Sequence, residues 1–381
     1  MSQLDHNAPD VARLLELDFL RCTEMAALNT LQWIGKGDKE SGDEAACDAI
    51  RGMFDKMDIC GNIVIGEGIK DEAPGLFQNE KVGKWRDGSA KFDIAIDPID
   101  GTTNVSKGMP NAISCLAAST GSHDGSPCLL DIPAYYMDKL AYSAEVAEAL
   151  AANPRLPINL NAPIADVIAT VAGIMKKEVR DVVVMVLNRP RNEQLIEDIR
   201  KCGAALRMIQ DGDITAALAP ALAESGVDLY AGIGGAPECV LSAAALRCLG
   251  GGMQARIWPR DPEERQSLIE AGWEDKFDKV YDCNELAWGE EILFCATGIN
   301  ESPLLKGVRF RGTTAITHSV LMRVKSGTVR FLFTDHNLKT KTMRLRSTGK
   351  ATRLVGGGHG GIVTPVGDLS SASNGNSQLD G

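Results

Sequence analysis

Between residues 182 and 249 the chain alternates strand and helix, and this rhythm narrows the possible folds more than any other feature. Residues 182–187 are an aliphatic run, the longest in the chain, of strand length and far too short to span a membrane. A helical pattern follows at 192–203, then a strand at 205–209, a helix at 214–223, a strand at 227–231 and a small-residue helix at 237–249. Strands separated by helices pair in parallel, and their functional residues collect at the strands' carboxyl ends. Those ends carry Arg189-Pro190-Arg191, Asp211-Gly212-Asp213 and Gly232-Ile233-Gly234-Gly235-Ala236-Pro237-Glu238. The expectation is an α/β fold in which all three turns open on one rim. Two arginines bracketing a proline make a local positive site suited to a phosphate, although a single arginine there would be an ordinary surface charge.

The first half supplies acids. Residues 92–96 read as a strand that runs into the interior and stops at Asp97-Pro98-Ile99-Asp100-Gly101-Thr102-Thr103. That is a rigid turn carrying two carboxylates and a hydroxyl, a donor set for hard cations; Asp-Pro and Asp-Gly are also ordinary turn words. A helix is expected at 11–34, ended by Gly35 and Gly37. A second is expected at about 43–57, with Ser41 and Glu44 spaced as a capping box and Asp43 favourable at its start. Glu67 lies between Gly66 and Gly68 after a short buried strand at 63–65, where packing explains a carboxylate poorly. Strands are expected at 112–118 and 128–132, further ones at 290–297, 308–323 and 328–333. A first domain would close near 155, a second would run over 156–345, and 346–381 would be a flexible tail, since glycine and serine dominate there.

Composition excludes several functions. A formal net charge of -11 argues against a nucleic-acid binder or a basic membrane-surface protein and suits one that collects divalent cations. The ten cysteines form no C-x-x-C pair and mostly sit in apolar stretches, so they read as reduced, buried thiols of a cytoplasmic protein. The five histidines lack zinc spacing. Residues 1–10 do not read as a signal peptide, and no phosphate loop of the G-x-x-x-x-G-K-[ST] type occurs. Five carboxylates therefore stand out: Asp43, Glu67, Asp97, Asp100 and Glu238. Gathered together they would repel unless cations sat among them. With two arginines and the Thr102 hydroxyl nearby, they suit metal-assisted hydrolysis of a phosphate ester.

Asp97-Pro98-Ile99-Asp100-Gly101-Thr102 resembles the signature of the lithium-sensitive, metal-dependent sugar-phosphatase superfamily, which includes inositol monophosphatase and the fructose-1,6-bisphosphatases. Gly37-Asp38-Lys39, the run from Ile65 to Pro74, Asp211-Gly212-Asp213 and the run from Gly232 to Glu238 are similar to the class II fructose-1,6-bisphosphatases, above all their cyanobacterial bifunctional fructose-1,6-/sedoheptulose-1,7-bisphosphatase branch. The resemblance spans roughly residues 11 to 335. It implies a layered α-β-α-β-α fold, a homotetramer acting on sugar bisphosphates in the Calvin cycle and gluconeogenesis, and Mg2+ or Mn2+ at the site. It also implies Asp43, Glu67, Asp97, Asp100 and Glu238 as metal ligands, and Thr102 as the group that orients the attacking water, with Lys39 and Asp38 beside it. Tyr136, Arg189 and Arg191, with Pro190 between them, would hold the distal phosphate. Asp211, Gly212, Asp213 and Gly235 would meet the sugar, alongside Asp100, Gly101 and Thr102. The tail after about residue 338 departs from the family's short ending. Two rivals stand beside this reading. One is an inositol-monophosphatase-like enzyme, against which the arginine pair argues. The other is a non-catalytic regulator that binds metal or sugar phosphate and would need neither Thr102 nor Lys39.

Overall fold

The structure is a computed structural model that describes residues 11–66, 76–120, 127–289, 291–347, 351–355 and 362–365. Its strands in chain order are β1 (Ile59–Ile65), β2 (Lys81–Val82), β3 (Ala90–Asp100), β4 (Ile113–Ser119), β5 (Tyr136–Tyr142), β6 (Val183–Leu187), β7 (Ala205–Ile209), β8 (Leu229–Gly235) and β9 (Gly252–Ile257). There follow β10 (Tyr281–Asp282), β11 (Ile292–Gly298), β12 (Arg309–Arg311), β13 (Thr314–Arg323), β14 (Thr328–Asn337), β15 (Thr342–Arg344), β16 (Ala351–Val355) and β17 (Ile362–Pro365). The helices are α1 (Val11–Thr30), α2 (Lys39–Phe54), α3 (Thr102–Lys107), α4 (Ala144–Ala152), α5 (Ile164–Met175), α6 (Glu193–Cys202), α7 (Asp213–Leu218), α8 (Ala236–Leu249), α9 (Pro262–Glu270) and α10 (Cys283–Leu286).

Among the described residues one sheet runs β12-β13-β11-β4-β3-β1-β2, with β14 on the far side of β13, and a second runs β10-β9-β5-β8-β6-β7. Alternation along the strands decides what each face buries. On β5, Met137 and Ala141 enter the core between the two sheets, while Leu140 and Tyr142 enter the core on the opposite side. The cores stack the chain in layers. Phe19 and Ile50, from α1 and α2, pack on Ile94 and Leu116 of the first sheet. Its other face meets α7 and α8, whose Ala217, Ala243 and Ala244 are buried together with Ala95 and Ala117. Beyond the second sheet, Val167 of α5 and Ile199 of α6 cover Val184 and Leu229. The small side chains of α8 explain how a helix buried on all sides fits between two sheets. The fold is mixed α/β.

Two expectations about topology change. The second sheet is parallel only over β7, β6 and β8. β5 is antiparallel to β8 on one side and to β9 on the other. β8 and β9 therefore still run the same way and are joined by α8, but a strand from the first half lies between them. The strand from 292 likewise returns to the first sheet, so the sheets do not divide at residue 155.

Local readings differ too. α2 starts at Lys39 rather than 43, because Asp38, in extended backbone, caps it by accepting Ser41 N at 3.0 Å. Ser41 thus lies in the first turn, no Ser41–Glu44 capping box forms, and Asp43 stands in the second turn. Residues 128–132 form no strand; only Leu129 bridges, to Ala287. In the region 346–381 expected to be a flexible tail, β16 and β17 are strands, antiparallel to each other and, through β16, to β15 just before it. It is tied back where Ser347 N donates to Asp48 at 2.7 Å and Arg346 reaches Glu80 at 3.0 Å. The remainder of the region lies outside the described residues. All ten cysteines are free thiols. No described helix is long and apolar enough to cross a membrane.

A buried histidine gives the fold a pH dependence. His336 is 3% exposed on β14, and its Nε2 lies 2.9 Å from Thr317 Oγ1 on β13. Burial, aided by Lys341 and opposed by Asp335, lowers its pKa from 6.5 to about 4. Glu24 of α1 meets the same cluster through Thr317, and burial raises its pKa. The unfolded chain takes up the histidine proton at the higher pH, so the contribution of neutral His336 is present above about pH 6.5 and is lost as pH falls toward 4. Glu24, whose folded-state pKa is raised, offsets part of that loss. On acidification across this window the melting temperature of the native chain is expected to fall more steeply than that of His336→Gln. Equal slopes would exclude His336 as the source.

Candidate active site

The predicted turn closes β3. Proline at 98 cannot donate to the ladder, and the pairing of β3 with β4 is irregular between Asp97 and Asp100. Gly101 then adopts φ 101°, and a Cβ there would lie 2.5 Å from Asn111 O, so only glycine fits. α3 begins at the next residue. Asp97 and Asp100, each 4% exposed, reach one cavity of about 730 Å3 together with Gly101 and Thr102. The ends of the second sheet's strands supply Arg189, Arg191, Asp211, Asp213, Gly235 and Glu238, and the start of β5 supplies Tyr136. The three rim turns thus do open on one site together with the β3 turn.

Hydrogen bonds fix each part. Asp100 Oδ1 accepts Asp213 N at 2.9 Å, and its Oδ2 accepts Ile214 N at 3.1 Å, which locks the start of α7 onto β3. Asp211 accepts Thr103 N at 3.0 Å and lies 3.8 Å from Arg189. The Arg191 guanidinium sits 4.2 Å from the Tyr136 ring centroid, and its Nε donates to Ile233 O at 2.9 Å. Glu238 lies in the first turn of α8, folded back so closely that a Cβ on Gly235 would be 1.8 Å from Oε2. That Oε2 is buried and has no hydrogen-bond partner among the described residues.

Burial raises the Asp100 pKa well above the usual carboxylate range, and repulsion from Asp213, Glu238 and Asp211 adds to it. Burial also raises Glu238, against the pull of Lys139. Such crowding disfavours negative charge unless a cation is at hand. Among the described residues, however, no three His, Cys, Asp or Glu side chains are close enough to hold an ion as they stand.

Several predicted residues sit elsewhere. Asp43 and Lys39 are on α2 and Asp38 caps it; none lines the cavity, nor do Pro190 and Gly212. Lys39 Nζ bonds Thr103 Oγ1 at 2.8 Å rather than Thr102. Both Asp38 oxygens are used by Ser41, at 3.0 and 2.7 Å. Gly212, at φ 88°, is held by Asn111, whose Nδ2 donates to Gly212 O at 3.1 Å. Glu67 lies outside the described residues.

Asp213 is not open to a ligand at both oxygens. Its Oδ2 accepts Lys139 Nζ at 2.6 Å and Gly235 N at 2.9 Å, and its Oδ1 accepts the Tyr230 hydroxyl. Lys139, Tyr230 and Asn111 escaped the sequence reading. Lys139 had a signal, since it falls at an inward register position between Met137 and Ala141. The cavity is completed by Ile99, Ile132, Pro133, Ala134, Tyr135, Leu187 and Pro237.

Residues 13–336 match the family model described as bacterial fructose-1,6-bisphosphatase, glpX-encoded. The chain is 38% identical over 344 residues to a D-fructose 1,6-bisphosphatase class 2/sedoheptulose 1,7-bisphosphatase of Synechococcus sp. (strain JA-3-3Ab), covering 84% of this chain and 95% of that one. It is 39% identical over 337 residues to a fructose-1,6-bisphosphatase class 2 of Haemophilus influenzae, covering 86% of this chain and 97% of the relative.

Proposed function

This chain belongs to the glpX-encoded bacterial fructose-1,6-bisphosphatase family, and on that premise we propose that it removes the 1-phosphate from fructose 1,6-bisphosphate and from sedoheptulose 1,7-bisphosphate. The observation that carries the reading is one cavity lined both by the carboxylates Asp97, Asp100 and Glu238 and by Tyr136, Arg189 and Arg191, so that groups for a cation and groups for a phosphate meet in one site, as a substrate with two phosphates requires. The arginine pair would hold the phosphate that stays. Tyr136 stiffens Arg191 by stacking, and Asp211 restrains Arg189. Asp97, Asp100 and Glu238 would face the phosphate that leaves.

These carboxylates fit Mg2+ or Mn2+, because they are hard oxygen donors and the buried Glu238 Oε2 has, among the described residues, no hydrogen-bond partner in the place a cation would take. Asp43 and Glu67 would complete the set. A divalent ion there would neutralise phosphate charge and polarise the phosphorus–oxygen bond. Thr102 would orient the attacking water through its hydroxyl. Lys39 would steady this turn from α2 by its bond to Thr103. The buried surroundings would keep bulk water from competing for the same donors.

The five layers of helix and sheet support membership of the lithium-sensitive, metal-dependent phosphatases. Phe310, Phe331 and Phe333, 48%, 51% and 63% exposed beside one edge of the first sheet, support a homotetramer whose subunit contact covers them; light scattering would test its mass. Free cysteines are in keeping with a cytoplasmic setting.

The test is phosphate release from both bisphosphates, and from inositol phosphate, with Mn2+ or Mg2+ and with a chelator. Release from the bisphosphates that the chelator abolishes is the expected result; release from inositol phosphate alone would overturn the reading. Arg191→Ala is expected to raise KM for fructose 1,6-bisphosphate about 10- to 100-fold, the loss of a charged hydrogen bond to phosphate, with a smaller change in kcat.

A further inference from the structure

The mouth of the cavity carries a second arginine–tyrosine stack. Tyr135 lines the cavity and is nevertheless 57% exposed. The Arg260 guanidinium lies 3.9 Å from the centre of its ring. This repeats, one residue earlier in the chain, the inner stack of Arg191 on Tyr136 at 4.2 Å. Arg260 follows β9 and, unlike Arg189 and Arg191, does not itself line the cavity; it reaches the cavity through the Tyr135 ring.

The outer stack is built rather than incidental. Glu264, in the first turn of α9, is only 6% exposed. Its Oε1 accepts Tyr135 N at 2.7 Å and its Oε2 accepts Arg260 N at 2.7 Å. A buried carboxylate is costly unless its oxygens are bonded, and this one devotes one oxygen to the backbone of each partner in the stack. Asp261 engages Arg260 only through Nε, at 2.8 Å. The two terminal guanidinium nitrogens make no hydrogen bond among the described residues.

We propose that Tyr135 and Arg260, held together by Glu264, form an outer phosphate clamp that sets the preference for substrate length. It rests on the reading of the cavity as a sugar-bisphosphate site. The distal phosphate of the six-carbon substrate ends at Arg189 and Arg191. The seven-carbon substrate is one carbon longer, and its distal phosphate extends toward the Tyr135 ring and gains the Arg260 charge. A planar guanidinium fixed over a ring recognises phosphate through paired N–H groups.

The experiment measures kcat/KM for sedoheptulose 1,7-bisphosphate and for fructose 1,6-bisphosphate, with saturating Mn2+, in the full chain and three variants. Arg260→Ala is expected to lower the ratio of the two values about tenfold, through KM for the longer substrate. Tyr135→Ala is expected to lower it similarly, whereas Tyr135→Phe, which keeps the ring, retains it. Both sites are at the surface, so folding is preserved and circular dichroism can verify it. A ratio within twofold of the native chain in Arg260→Ala would overturn the clamp while leaving the activity standing. Native chain inactive on both bisphosphates would overturn the proposed function itself.

Discussion

Asp97→Asn is expected to lower kcat on the order of a thousandfold, about 4 kcal/mol of transition-state stabilisation, with the fold intact. The change keeps the size of the side chain and removes its charge. Asp97 is 4% exposed at the irregular end of β3 and lines the cavity, so loss of the carboxylate removes a hard donor where no neighbour can replace it. Stability should be level or slightly higher, because a buried carboxylate costs more to desolvate than the neutral amide that replaces it. Steady-state rates with Mn2+, set beside thermal melts with and without Mn2+, check both halves. The native melting temperature should rise with Mn2+ and that of the variant should rise less. Native turnover in Asp97→Asn would remove this residue from the reaction.

Lys139→Met is expected to lower the free energy of unfolding by about 3–5 kcal/mol. The Lys139 side chain is wholly buried and lies 2.6 Å from Asp213 Oδ2. Burial works against its charge and is outweighed by Asp213, so the pKa stays above the usual lysine value. Removing the lysine strands a buried carboxylate that also fixes Gly235 N and the Tyr230 hydroxyl. Adding Asp213→Asn should recover most of the loss, since two neutral groups no longer need each other. Urea unfolding of the single and double variants measures this. A double variant as unstable as the single one would show that shape, rather than charge, sustains the contact.

What the sequence disclosed was the chemistry that sits at the ends of strands. The Asp97–Thr103 turn and the three rim turns could be read because proline, glycine and paired charges mark abrupt ends, and strand ends are where an α/β sheet presents its site. Asp211 and Glu238 share a cavity with Asp97 for that reason. The capping of α2 was misplaced by one turn, since Asp38 and Ser41 are both good caps and only backbone geometry chooses between them. Residues 128–132 are apolar enough for a strand, but among the described residues only Leu129 finds a bridge partner, Ala287, and one bridge does not make a ladder. Lys139 and Glu264 were missed because their partners, Asp213 and Tyr135, are 74 and 129 residues away, and no local pattern announces a contact across that distance.

The insertion of β5 between β8 and β9 has a consequence for how the chain comes to be. The second sheet cannot close from its own contiguous stretch, because its middle lane is filled by a segment made nearly a hundred residues before β8. During synthesis β5 must wait, with both edges open, until β8 and then β9 emerge from the ribosome. Pairings over such separations form late and leave edges exposed to other chains meanwhile. Cutting the gene near codon 155 would therefore give two polypeptides that each lack part of the other's sheet. Such fragments should be insoluble apart and recover activity only when produced together.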